Sequence, residues 1–173
     1  MAGKYIASIL NTVPASATNG TSTGFWWLYN PVGSSFVISL LYVRYQSQHG
    51  SPATACASSP RCALNLFTFT GTPSGTNIVP GKMDSSMSSP GAALKSTQAT
   101  SVVSLGALVR AFLPVWSRST SSGGPESTAS HVEWKVDGEI VLRAGQGLVC
   151  YQPDAGSTSD VRRQNIDLYW KES

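Results

Sequence analysis

The stretch GEIVLRAGQGLVCYQ, residues 138–152, contains two apolar runs on either side of Arg143-Ala144-Gly145-Gln146. Gly145 can adopt the positive φ that a type II turn requires at its third position. Gly147 removes a side chain at the point where the chain enters the second apolar run. The stretch therefore predicts a buried β-corner, in which Arg143, Gly145 and Gly147 are the structural turn residues.

The length of the chain, 173 residues with a mass of 18.2 kDa, fits one domain with its own core. We expect residues 1–173 to form that domain, with residues 1–23 as a candidate assembly arm. Only 12% of the residues are charged, about half the usual share. Because the net charge of +3 is spread along the sequence rather than concentrated in a patch, we expect no direct nucleic-acid binding.

The first residues contain a short apolar run, 5–10, followed by VPASA at 13–17, which imitates a signal-peptide cleavage site. The run is too short for a leader and is interrupted by Ser8, so we predict a first strand. No apolar run approaches the length of a membrane span, and we expect no membrane contact.

Period-two alternation and runs of β-branched and aromatic residues predict an all-β chain. The predicted strands are residues 4–10, 24–29, 35–46, 62–70, 77–83, 107–116, 131–136, 139–143, 147–151 and 165–170. Several of the intervening spacers are longer than hairpin loops, which favours crossovers between two sheets. The predicted fold is a single-domain, jelly-roll-like antiparallel β-sandwich.

Two local features refine this prediction. Residues 98–110 could begin as a short helix, but we favour a strand with a β-bulge at Gly106. Asp137-Gly138 has the composition of a two-residue hairpin turn between the strands at 131–136 and 139–143.

The sequence offers few residues for catalysis or metal binding. His49 lies in a Ser- and Gly-rich loop, as a solvated residue would. His131 and Glu133 alternate with Val132 and Trp134, so the two polar side chains share one face of a strand and could begin a cupin-like metal site. Further histidine ligands are missing, and we favour the other interpretation of the pattern, an outward polar face over an inward apolar one. We predict a non-enzymatic protein without catalytic residues, metal ligands or a cofactor.

The three cysteines do not have zinc-site spacing. Cys56 and Cys62 bracket a short loop and form a candidate disulfide, whereas Cys150 is expected to be a small buried apolar residue.

The aromatic run at residues 25–29, FWWLY, must place alternate side chains on opposite faces of a strand. We expect Phe25, Trp27 and Tyr29 to face the core, and Trp26 and Leu28 to face outwards. The outward pair would need a cover, for which a neighbouring subunit, a long loop and a carbohydrate are the alternatives. The candidate interface residues are Phe25, Trp26, Trp27, Trp116 and Arg143.

Four segments, taken in order, resemble a pattern found in small structural proteins of tailed bacteriophages. They are Asn30-Pro31-Val32-Gly33-Ser34, Leu41-Tyr42-Val43-Arg44, Lys82-Met83-Asp84 and residues 140–148. The last segment is similar to the Val-Leu-Arg-Pro-Gly-Glu-Gly-Leu corner of that family. Ala144 replaces the Pro and Gln146 replaces the Glu, which makes the turn less rigid and less charged.

The resemblance implies a jelly-roll subunit of the virion, assembled in the host cytoplasm. Proteins of this kind decorate or cement the capsid, often as trimers, or belong to tail and fibre assemblies, and as a rule they are not enzymes. We accordingly expect a capsid decoration protein that binds the major capsid protein and itself as a homotrimer. The alternative is a receptor- or glycan-binding module of a phage tail or fibre.

Overall fold

The computed structural model describes residues 3–14, 26–49, 62–70, 73, 75–96, 103–112, 130–151 and 161–173. These residues form strands and connections, and no helix lies among them. The strands are β1 (Gly3–Pro14), β2 (Trp26–Tyr29), β3 (Ile38–His49), β4 (Cys62–Phe69), β5 (Thr76–Ile78), β6 (Gly81–Lys82), β7 (Ala93–Ser96), β8 (Val103–Phe112), β9 (Ser130–Leu142), β10 (Gln146–Tyr151) and β11 (Val161–Glu172).

Two antiparallel sheets contain these strands. The five-stranded sheet has the order β6-β1-β11-β3-β9, and the six-stranded sheet has the order β5-β7-β2-β10-β4-β8. The long strands that follow one another in sequence mostly belong to opposite sheets, as the spacer lengths predicted. β11 is the central strand of the five-stranded sheet. It pairs with β1 along the whole length of both strands, from Gly3↔Glu172 to Pro14↔Val161.

The inner faces of the two sheets enclose one apolar core. The first sheet contributes large side chains such as Tyr5, Leu40 and Trp170, and the second contributes residues such as Leu64 and Leu148. All of these side chains are at most 2% exposed. Burial of this apolar surface is the main favourable contribution to folding. The prediction of an all-β sandwich is confirmed.

The corner between β9 and β10 is also confirmed. Gly145 has a φ of 76°, and the Gln146 amide donates to the Arg143 carbonyl oxygen over 2.9 Å, as in a type II turn. Because β9 and β10 belong to different sheets, this turn carries the chain from one layer of the sandwich to the other.

Gly147 has a different reason to be glycine. A Cβ atom at this position would overlap the ring of Phe67, its cross-strand partner, and would lie 2.8 Å from the Leu28 carbonyl oxygen. The absence of a side chain therefore makes room for an aromatic ring on the outer face of the second sheet.

The bulge predicted at Gly106 is present. β8 pairs with β4 through Leu108↔Asn65 and Leu105↔Phe67, so the register shifts across Gly106. The Asn65 amide nitrogen also donates to the Gly106 carbonyl oxygen over 3.2 Å. The strand prediction for residues 98–110 is confirmed over its described part, which begins at Val103.

The hairpin predicted at Asp137-Gly138 is wrong. Both residues have positive φ, 51° and 85°, as a two-residue hairpin turn would require. The chain nevertheless continues along the same neighbour, since Lys135 pairs with Tyr42 and Ile140 pairs with Leu40. Residues 136–139 thus bulge opposite a single residue of β3, and β9 remains one strand.

Two further differences concern short strands at or next to a sheet edge. The strand predicted at 77–83 is divided by Pro80 into β5 and β6, which belong to different sheets. β7, Ala93–Ser96, was not predicted, because four residues containing a lysine carry too little alternation to be recognised.

Candidate functional site

The aromatic run of β2 is buried on both of its faces. Trp26 and Leu28 belong to the core between the sheets, whereas Trp27 and Tyr29 lie on the outer face of the six-stranded sheet. The expectation that Trp26 and Leu28 face outwards is therefore wrong, because the alternation fixed the two sets but not the side on which each lies. Both tryptophans have no exposed surface in a single copy of the chain.

The outer cluster consists of Trp27, Tyr29, Phe67, Phe69 and Val149. Trp27 meets Phe67 edge-on with ring centroids 4.9 Å apart, and Tyr29 meets Phe69 edge-on at 5.0 Å. Such edge-to-face pairs contribute beyond the area that they bury. Among the residues that the structure describes, the indole nitrogens of Trp26 and Trp27 find no hydrogen-bond partner, and their rings are held by apolar contact. Burial raises the pKa of the Tyr29 phenol.

The corner is held by the backbone of Asn30. The Asn30 amide donates to the Gln146 carbonyl oxygen over 2.9 Å, and the Gly145 amide donates to the Asn30 carbonyl oxygen over the same distance. The Phe69 amide donates to the Gly145 carbonyl oxygen over 3.2 Å. The first and last segments of the phage resemblance are therefore in direct contact.

The side chain of Asn30 adds a second set of bonds. It is fully buried, and its amide nitrogen donates to the carbonyl oxygens of Phe36 over 2.8 Å and Leu142 over 3.1 Å. The Ser34 hydroxyl donates to the Asn30 side-chain oxygen. Because a buried amide is costly unless its donors and acceptors are paired, Asn30 fixes its loop to the corner. From the sequence, Asn30 is singled out only as the first residue of the segment 30–34 in the phage resemblance.

Arg143 is exposed at this corner. Its backbone amide donates to the side-chain oxygen of Gln146 over 2.9 Å, so the turn is braced through the backbone. Among the described residues, no hydrogen-bond or ion-pair partner of the Arg143 guanidinium is found. The charge is therefore presented to the solvent.

The segment Lys82-Met83-Asp84 lies at the same end of the sandwich, beside β1. The Met83 amide donates to the Lys4 carbonyl oxygen over 3.1 Å. Asp84 accepts from the Ser86 amide over 2.9 Å and from the Ser86 hydroxyl over 2.8 Å. These two hydrogen bonds lower the pKa of the Asp84 carboxyl, because they favour its charged form.

A cleft of about 450 Å³ opens between these elements. Tyr5 and Phe36 form its aromatic wall, Ser88 and Ser89 its hydroxyl-bearing rim, and Glu172 its carboxylate. The Tyr5 hydroxyl donates to the Ser88 carbonyl oxygen over 3.2 Å, which holds the rim against β1. No sequence pattern predicts this cleft, because its walls come from distant parts of the chain.

Exposed apolar side chains surround the same end. Val32 is 64% exposed, Val79 is 88% exposed and Met83 is 55% exposed. Each lies in a connection rather than in the middle of a sheet. We call this end the corner end. Val32 and Arg143 lie at one turn there, whereas Val79 and Met83 follow β5 and β6, on the opposite edges of the two sheets from β8 and β9.

The outer face of the five-stranded sheet carries a row of polar residues. Ser8, Asp167, Arg44 and Glu133 are cross-strand neighbours on four successive strands. The Ser8 hydroxyl donates to Asp167 over 2.5 Å, and Arg44 lies 3.8 Å from Asp167 and 3.6 Å from Glu133. We call this row the polar ladder.

The second row of that face contains Tyr42 and Tyr169, whose rings meet edge-on with centroids 5.3 Å apart. Burial raises the pKa of the Tyr42 phenol, a hydrogen bond to Glu133 and its negative charge raise it further, and Arg44 partly offsets this. Glu133 is therefore part of a polar surface, while Val132 and Trp134 pack against the core, as the outward-polar alternative predicted.

Several predicted site residues are not described in full. Phe25, Cys56 and Trp116 lie outside the described residues, and for His49, Cys62 and His131 only the backbone is described. The Cys56–Cys62 disulfide and the Trp116 interface stay predictions, and the cupin-like alternative at His131 is not tested. Cys150 is buried, as expected.

The described ranges contain neither a candidate metal site nor a candidate membrane-spanning helix. No three His, Cys, Asp or Glu side chains in these ranges lie close enough together to hold a metal ion. The same ranges contain no helix with the length and hydropathy needed to cross a bilayer.

Comparison of the sequence with protein-family models found no match, and a search of curated proteins found none either.

Proposed function

We propose that this chain is a structural subunit of a tailed-bacteriophage particle, a jelly-roll decoration or cement protein that binds the major capsid protein through its corner end. In this proposal the protein is a homotrimer on the virion, and its role is mechanical rather than catalytic.

The order of the strands supports the jelly-roll part of the proposal. The eight strands outside the 75–96 segment form two four-stranded sets, β1-β11-β3-β9 and β2-β10-β4-β8, and each set is flanked by short strands of that segment. An eight-stranded double sheet of two Greek keys has this interleaved order, in which neighbouring strands are distant in sequence.

The observation that carries the proposal is the Asn30-centred corner. Two segments that resemble the phage family, residues 30–34 and 140–148, form one hydrogen-bonded unit although they are separated by more than a hundred residues. A motif whose parts meet in space is better support for the resemblance than the same residues scattered over the surface.

The corner also presents groups suited to a protein interface. Val32 lies beside Gly145, and Arg143 extends from the same turn. Apolar contact with arginine is typical of the residues that dominate interface energy. Because the loops are fixed by buried hydrogen bonds, little conformational entropy remains to be lost on binding. Symmetry would multiply such modest contacts on a capsid.

The test is binding to capsid shells assembled from the major capsid protein of the same phage and lacking this chain. Cosedimentation should show saturable binding, and light scattering should show a trimer. Arg143→Ala should weaken binding about tenfold or more, and Val32→Asp should weaken it further, because a charge would be placed in an apolar contact.

Arg44→Ala is the matched control, since it removes an exposed arginine from the polar ladder on another face. It should leave binding within about twofold of the unmodified chain. A stable monomer that fails to bind such shells would contradict the proposal, and equal losses for the two arginine variants would contradict the corner as the contact.

The burial of Trp26 counts against the alternative, a glycan-binding module of a tail or fibre. It relied on an exposed Trp26, and both Trp26 and Trp27 are buried in a single copy. A glycan array still distinguishes the two proposals, because saturable sugar binding without capsid binding would favour the alternative.

A further inference from the structure

The cleft at the corner end contains a carboxylate that is largely removed from water. Glu172 is only 8% exposed, although it is the penultimate residue of the sequence. Its position opposite Gly3 in the β1–β11 pairing directs it into the space between the sheets, beside Trp170. A carboxylate in such a place is costly unless its oxygens are paired.

Three N–H groups pair with Glu172. Its Oε1 accepts from the Ala92 amide over 2.9 Å and from the Trp170 indole over 3.2 Å. Its Oε2 accepts from the Gly91 amide over 2.8 Å. A carboxylate oxygen has two acceptor positions. Within the described ranges, both positions of Oε1 are used and one on Oε2 is left.

The described residues supply no cation to balance the charge of Glu172. Within the described part of the chain, no Lys, Arg or His nitrogen lies within ion-pair distance of its carboxylate, and the two ion pairs found there belong to the polar ladder. A buried anion with neutral donors alone retains a strong electrostatic preference for a cation nearby. The cleft offers the route by which one can reach it.

We propose that this cleft binds the side chain of a lysine presented by a protein partner. The ammonium would bond to the remaining position on Oε2 and to the hydroxyls of Ser88 and Ser89, which line the cleft. The methylene stem would lie against the ring of Phe36, which also lines it. The three acceptors match the three donors of an ammonium.

An arginine fits the same groups less well. A guanidinium binds a carboxylate best through two parallel hydrogen bonds, one to each oxygen. Oε1 already accepts two hydrogen bonds, so this arrangement is blocked. The cleft therefore favours a compact ammonium over a planar guanidinium.

The test uses Nα-acetyl-lysine N-methylamide as the probe, with the norleucine analogue as a neutral match and the arginine analogue as a planar cation. Binding is followed by NMR through the backbone amides of Gly91 and Ala92 and the indole N–H of Trp170. The lysine probe should shift these three signals saturably, the arginine probe should bind more weakly, and the norleucine probe should have no effect. Equal shifts from norleucine and lysine, or no shift from lysine, would overturn the proposal.

Glu172→Gln removes the charge, but it also places an NH₂ group near two backbone donors, so this variant could fail to fold. Ser89→Lys avoids that difficulty by supplying an ammonium on the rim itself. It should raise the melting temperature above that of Ser89→Gln and weaken binding of the lysine probe about tenfold or more. Unchanged probe affinity in Ser89→Lys would overturn the proposal. The outcome is independent of any capsid, because the probe is a small molecule.

Discussion

The two sheets differ in what their outer faces bury. The outer face of the five-stranded sheet contains the polar ladder, in which Arg44 and Glu133 are about half exposed. The outer face of the six-stranded sheet contains the outer cluster, whose five residues are each at most 6% exposed. One sheet is thus buried on a single face, and the other is buried on both over its centre.

The sequences of the strands account for this difference between the two outer faces. β11 alternates polar and apolar residues in NIDLYWK, and its apolar set enters the core. β2, with WWLY, and β10, with GLVC, are continuously apolar, and all of these positions are buried. Antiparallel sheets commonly leave one face to the solvent, so a continuous apolar run in such a sheet indicates a second buried layer.

The largest effect that tests this comparison is expected for Trp27→Ala. The change removes a fully buried indole from the outer cluster and should lower the free energy of unfolding by about 3–5 kcal/mol. Tyr169→Ala, on the other outer face, should cost only about 0.5–1.5 kcal/mol, because Tyr169 is half-buried and loses chiefly its contact with Tyr42. Urea unfolding followed by circular dichroism measures both, and equal losses would contradict the contrast between the faces.

A smaller loss is expected for Gly147→Ala, about 1–3 kcal/mol. The new methyl group would overlap the Phe67 ring and approach the Leu28 carbonyl oxygen, which the backbone holds in place. Phe67→Leu should recover part of the loss when the two changes are combined.

Gly81→Ala is the control for that variant, since its Cβ atom would meet only an ordinary contact with Ile6 at 3.4 Å. It should change the free energy of unfolding by less than about 0.5 kcal/mol. If Gly147→Ala is as mild as this control, the ring of Phe67 does not depend on the glycine.

The polar ladder should contribute less to the free energy of unfolding than Trp27→Ala or Gly147→Ala removes. Arg44→Ala removes two ion pairs at 3.6 and 3.8 Å on an exposed face and should cost about 0.5 kcal/mol. A double-mutant cycle with Glu133→Gln isolates the pair, and the coupling should fall in concentrated salt. Coupling that persists in salt would show that the ladder is shielded from solvent.

The smallest effect concerns the two tyrosines whose pKa values are raised, one on each outer face. Glu133→Gln should lower the pKa of Tyr42, because it removes the carboxylate charge, and should leave the pKa of Tyr29, which burial alone raises, unchanged. The neutral phenols favour the folded state, so their contribution is present below the ordinary tyrosine pKa and is lost as the pH rises through the raised values. Ultraviolet absorbance titration of single-tyrosine variants measures both pKa values.

The sequence allowed the corner, the Gly106 bulge and the sandwich to be predicted, because each depends on a local property of the chain. Positive φ at Gly145 and apolar alternation are examples. The sequence also predicts positive φ values at Asp137 and Gly138, but it does not predict the path of the chain that follows from them. Whether such a pair reverses the chain or only bulges depends on the pairing of the flanking residues with β3.

The candidate site was beyond sequence reasoning for a different reason. The side chain of Asn30 bonds to Leu142, 112 positions away, and Glu172 bonds to Gly91, 81 positions away. No periodicity connects residues at such separations. The direction of Trp26 was likewise undetermined, because both faces of β2 are apolar and alternation alone assigns neither to the core.

The bulges in β8 and β9 have a consequence for how copies of the protein can meet. Both strands lie at the outer edge of their sheets in the described structure, and each carries an irregularity, at Gly106 and at residues 136–139. A strand from a second molecule could not continue the ladder of hydrogen bonds along either edge in regular register. Copies crowded at high local concentration would then stay discrete instead of extending one another's sheets into fibres, and their contacts would pass through side chains and loops.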